Sequence, residues 1–179
     1  MADVETQGVE RADGRRAGGK RWAILLAGVV GIIVGLALAC VIGWMAMPQM
    51  MLKTHESAYG LDETCERLKA AIEEQGWTNP AIRNMNASIE AGGADLARQV
   101  RIVELCNAEY AQRILSEEPQ VSTLMPCAFG VYEGDDGKVY VSAMNTGLMG
   151  RMFGGIIAEV MGGSVAADET EILAAIGHE

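Results

Sequence analysis

The hydrophobic pattern divides the chain into three regimes. From Trp22 to Met47 the sequence WAILLAGVVGIIVGLALACVIGWMAM holds no charge and no strongly polar side chain. Twenty-two helical steps of about 1.5 Å span roughly 33 Å, close to the hydrocarbon thickness of a bilayer. Trp22 and Trp44 bracket the run, as expected for residues that favour the two interfaces. The run is longer than the apolar part of a cleaved secretory signal, so one transmembrane helix is predicted over 22–47. Beyond it the apolar residues become periodic. Leu61, Cys65, Leu68 and Ile72 fall on one face of a helix, with Asp62 and Glu63 at its start and Gly76 at its end. MLKTHE and RQVRIVEL read as strands. Asn107 suits the N-cap of a helix over AEYAQRILSEE, with Pro119 just beyond. Two strands, Cys127 to Glu133 and Lys138 to Ala143, flank the turn GDDG, whose residues tolerate positive φ. Residues 78–97 show no clear period and suggest a short helix between Asn79-Pro80 and Gly92-Gly93.

The third regime follows the hairpin. Leu148-Met149, Met152-Phe153, Ile156-Ile157 and Val160-Met161 recur as pairs every fourth residue and make one broad apolar face. Docking on protein is expected, because a helix lying on lipid carries more Lys and Arg. A last helix is predicted over ADETEILAAI, capped by Asp168 with Glu171 three residues on. The order of elements argues an α+β fold: a mainly antiparallel sheet with helices packed on one face, preceded by a single transmembrane helix. The expected organisation is a disordered cytoplasmic tail (1–21), the membrane helix (22–47), the α+β domain (48–145) and a helical extension (146–179).

Charge then orients the chain. Arg11, Arg15, Arg16, Lys20 and Arg21 precede the span, and only Lys53 and His55 follow it closely. The positive-inside rule places the N-terminus in the cytoplasm and the C-terminal domain outside, so the expected location is a single-pass membrane protein with an extracytoplasmic domain. After residue 47 the chain carries 9 Lys and Arg against 20 Asp and Glu. Such an acidic body repels phosphate backbones, and no basic patch interleaved with aromatics is present, so nucleic acid is excluded as a partner. Within the span, Ala27, Gly31, Gly35 and Ala39 recur every fourth residue. Small residues at this spacing let two helices approach closely and predict a homodimer in the membrane.

Candidate chemistry is confined to sulfur. Cys106 sits one residue before the Asn107 cap, near the positive end of a helix, where thiolate is favoured. Cys127 opens the next strand. If the two strands run parallel, the thiols lie at opposite edges, roughly 15 Å apart; if antiparallel, at one edge. The alternative for both is a small buried apolar residue. Eleven methionines are many, and Met144, Met149 and His55 are the candidates for metal binding. Thioethers and thiolates suit Cu(I), and Met with His suits haem, yet no copper or haem motif is present and no cofactor is predicted. Catalytic motifs, including Ser-His-Asp ordering, a phosphate loop and His-Glu-x-x-His, are absent as well.

RIVELCNAEYAQRIL followed by MPCAFGVYEGDDGKVYVS resembles the family called domain of unknown function 302. The signature is strand-Leu-Cys-Asn, a helix, then Pro-Cys-strand-Tyr-Glu with an acidic turn and Gly-Lys. THESAYGLDETCERLKAAIEEQGW is similar to that family's opening strand and helix, so the resemblance covers roughly residues 50 to 145. Ala108 stands where the family commonly has Pro, which alters a helix start. MNTGLMGRMFGGIIAEVMGG is similar to a branch of the family with a Met- and Gly-rich tail. The resemblance implies a compact α+β domain that tends to pair with a second copy, and it implies no reaction. The reading is a membrane-anchored, extracytoplasmic binding or interaction module that self-associates and takes a protein or small-molecule ligand. The alternative is a thiol- or metal-thioether-based redox protein, for sulfur or copper handling, using Cys106 and Cys127.

Overall fold

The computed structural model describes residues 14–177. Two compact units meet at the Met47–Pro48 bond. The first is built on helix α1, Gly14–Met51, which runs past Pro48 into the second unit. Its stretch Ile24–Met45 has a mean hydropathy of 2.9 and is long and apolar enough to cross a bilayer. The segment 14–21 is helical, against the expectation of disorder. A formed apolar helix propagates into its flank because nucleation is the costly step, here against the low helix preference of Gly18 and Gly19. The remainder of the expected tail, residues 1–13, lies outside the described residues.

The second unit is an α+β domain around a five-stranded sheet of order β1-β5-β4-β3-β2, with every pairing antiparallel. The strands are β1 (Leu52–Ser57), β2 (Ile82–Asn84), β3 (Val100–Leu105), β4 (Cys127–Glu133) and β5 (Val139–Met144). Period-two alternation sorts their side chains. Phe129, Val131, Val139, Val141 and Ala143 are buried with Val103 and Leu105, while Tyr132 and Tyr140 stack on the opposite face at 5.8 Å.

Helix α2 (Leu61–Glu74) buries Leu61, Cys65, Leu68 and Ile72 on this sheet, the face read from the sequence. Gly76, at φ 75°, closes it, and the Trp77 N–H reaches back to the Ile72 carbonyl at 3.0 Å. Helix α3 (Met85–Ala91) falls in the unclear region. Strand β2, only three residues long, was not foreseen. Helix α4 (Ala108–Glu117) is capped by Asn107, whose side chain accepts from the Glu109 and Tyr110 N–H groups.

The C-terminal segment departs from the expected single face. Helix α5 (Thr146–Phe153) ends at Gly154, φ 73°, and Gly155, φ 54°, a conformation that other residues rarely adopt. Helix α6 (Gly155–Glu159), a π turn (Val160–Val165) and helix α7 (Ala166–Ala174) follow. Asp168 does not cap α7, because the helical backbone is already continuous there; its carboxylate accepts the Trp77 indole N–H at 2.9 Å instead. The segment expected as an extension supplies Met149, Ile157, Val160, Val165, Ile172 and Ile176 to the same core as the sheet.

Candidate functional site

Antiparallel pairing of β3 with β4 settles where the thiols go. Leu105 is the register partner of Cys127, so Cys106, one residue further, lies at the same end of the sheet. Its backbone is held on the other side by Thr78, through two hydrogen bonds of 2.9 Å. Chain entry to Cys127 is through Met125-Pro126, a cis peptide. Both cysteines are half-buried, whereas Cys40 is exposed and Cys65 is buried, and none of the four is in a disulfide. Cys65 packs in the core, where burial pushes its thiol up to about 11.

Cys106 and Cys127 line one apolar pocket that is partly open to solvent. Its walls come from four places: the Trp77 turn after α2, the start of α4 with Tyr110 and Ile114, the Met125-Pro126 approach to β4, and the π turn with Met161 and Val165. Trp77 is 4% exposed. Its ring meets Tyr110 edge-on at 5.6 Å, and its bond to Asp168 satisfies the N–H that burial would otherwise strand. Neither His nor a carboxylate lines the pocket. Burial, then the neighbouring Glu169 and Cys106, pushes the Cys127 thiol up to about 11. At neutral pH it is therefore a thiol and a weak nucleophile.

Close to this end of the sheet a carboxyl is buried. Glu169 in α7 is 8% exposed and accepts a 2.7 Å hydrogen bond from the Thr146 hydroxyl. Burial raises it to about 7, against the opposing pull of Thr146 and Lys53.

The other candidates from the sequence do not join the thiols. His55 lies on edge strand β1 opposite Val141, and Met144 ends β5 opposite Leu52. Met149 is buried in α5. None of the three lines the pocket, because closeness along the chain between methionines is not kept by the sheet register. Among the described residues no group of three or more His, Cys, Asp and Glu could hold a metal ion. The pocket residues Trp77, Tyr110 and Met125 were missed. Their only sequence signal is that Trp77 directly follows a helix-ending glycine, and that Met125 lies two residues before Cys127.

In α1 a Cβ added at Gly31 or Gly35 meets nothing within 4 Å. Substitutions there can be read for association between helices, with no clash inside the single chain.

No curated protein matches the chain. A solved structure, that of an uncharacterized conserved protein DUF302 from Bacillus stearothermophilus, has the same fold at a TM-score of 0.61 and 21% identity, covering 72% of this chain and 97% of that one. The family model described as domain of unknown function DUF302 matches residues 53–176, taking in the sheet and the C-terminal helices alike. Fold and family match coincide over most of the chain, and the protein belongs to the DUF302 family.

Proposed function

We propose that this chain is a membrane-anchored binding domain, facing away from the cytoplasm, whose ligand site is the pocket between Cys106 and Cys127. The observation that carries the reading is the meeting of Cys106, just past β3, and Cys127, at the start of β4, with Trp77 and Tyr110 at one apolar opening. Ligand sites are typically apolar clefts with a few convergent polar or reactive groups. A catalytic thiol needs a depressed pKa, and that of Cys127 is raised, so binding is favoured over thiol redox catalysis.

Phenylarsine oxide tests this, since its apolar ring suits the walls and its arsenic joins two nearby thiols with loss of water. The reduced, detergent-solubilised full chain is expected to take up one arsenical. Uptake should be lost in Cys106→Ser and in Cys127→Ser, and kept in Cys40→Ser. An adduct that survives either pocket substitution would refute the reading, and so would no adduct at all.

Self-association forms the second part of the proposal. Ala27, Gly31, Gly35 and Ala39 offer a close-packing stripe along α1, and confinement to one membrane raises the effective concentration of the partner helix. In a membrane two-hybrid assay, Gly31→Ile and Gly35→Ile are expected to lose most of the association signal at equal expression. An unchanged signal removes the stripe as the contact.

A further inference from the structure

The pocket holds more sulfur than its two cysteines. Met125 and Met161 line it as well, so two cysteines and two methionines border one opening. They arrive from separate parts of the fold. Cys106 follows β3, Cys127 begins β4, Met125 lies on the approach to β4, and Met161 is carried by the π turn. That turn spans Val160–Val165, and both Met161 and Val165 reach the pocket from it. Single π turns inside helices recur at functional sites, because the wider turn re-aims side chains.

We propose that this pocket is a binding site for a soft monovalent d10 cation, Cu(I) or Ag(I), ligated by Cys106, Cys127, Met125 and Met161. The assignment deepens the reading of the pocket as the ligand site and rests on it. Ligand softness decides the class of ion. Thioethers bind Cu(I) and Ag(I) well and offer little to harder ions. Calcium and magnesium require oxygen donors, and no carboxylate lines the walls. Zinc sites are closed by thiolate, imidazole or carboxylate, and only two thiols with no imidazole are present. The apolar walls select in the same direction: one monovalent cation with one thiolate is neutral, and residual charge is costly in such surroundings. Trp77 and Tyr110 add aromatic surface that attracts a cation. On binding, a ligating thiol releases its proton to solvent, and no electron is transferred.

The test is Cu(I) titration of the reduced full chain in detergent, against bathocuproine disulfonate as competitor. One Cu(I) per chain is expected to resist the competitor, with near-ultraviolet thiolate-to-copper absorption and quenching of Trp77 emission in a Trp22→Phe, Trp44→Phe background. Met125→Leu and Met161→Leu should each weaken binding at least tenfold while leaving phenylarsine oxide uptake intact. Cys106→Ser and Cys127→Ser should abolish retention, and Cys40→Ser should not alter it. Copper stripped by the competitor from the unmodified chain, or held unchanged by both methionine variants, overturns the soft-cation assignment. If the arsenical still binds in that case, the pocket remains a ligand site of another kind; if neither binds, both proposals fall.

Discussion

Gly150→Ala is expected to destabilise the domain by about 2–3 kcal/mol, the range for overpacking a tight contact. A Cβ at this position would lie 2.8 Å from both the Cα and the N of Gly162 and 3.2 Å from the Cα of Ala158. All three atoms are backbone, so no side chain can swing aside. Either α5 must move from the π turn or the π turn must deform. Since Met161 and Val165 ride on that turn, the pocket wall should move with it. Thermal unfolding of the full chain in detergent should show a midpoint lower by roughly 10 °C, given the usual scaling for a domain of this size. Gly163→Ala is the control, because a Cβ there meets nothing within 4 Å and its helical backbone gains from alanine. Equal midpoints for Gly150→Ala and the unmodified chain would show that the two glycines are not in the contact described.

Glu169→Gln is expected to stabilise the protein at alkaline pH and to leave it unchanged in acid. Burial raises the folded pKa from 4.5 to about 7, so between these values the folded chain holds a proton that the unfolded chain has lost. The stability present below pH 4.5 therefore declines as pH rises through this window and is fully lost above pH 7. A shift of that size corresponds to about 3 kcal/mol of penalty for the ionised carboxylate. Glutamine carries no charge and still offers an oxygen to the Thr146 hydroxyl, which now bonds Glu169 at 2.7 Å. Denaturant melts at pH 4 and pH 8 should give nearly equal stabilities at the lower pH and a gain of about 2–3 kcal/mol for the variant at the higher. A gain that is the same at both pH values would assign it to packing and remove the buried charge as its cause.

Much of the sheet was readable because its signals are local. The Asn107 cap, the Gly76 stop after α2 and the GDDG turn each rest on the backbone preference of a few neighbouring residues. Strand β2 was not, since three residues are too few for an alternation to register. The C-terminal apolar pairs read as one face because periodicity is blind to Gly154 and Gly155 taking positive φ. The site was half-legible for a related reason. Cys106 and Cys127 stood out by residue type, yet the loop between α4 and β4 permits either strand direction. The pocket depends on that direction, and on Trp77 and Met161 arriving through tertiary packing.

Among the described residues, strand β1 lies at the rim of the sheet and pairs with β5 alone. Its Lys53 partners Ala143 and its His55 partners Val141, so both alternate onto the side that carries the apolar core. A foreign strand zipping along β1 would have to bring its own side chains against the exposed Lys53 ammonium and strip water from it. Inward-aimed charge of this kind guards natural sheet rims against runaway polymerisation. Copies of this domain at high local concentration are thereby steered away from fusing edge to edge into fibrils.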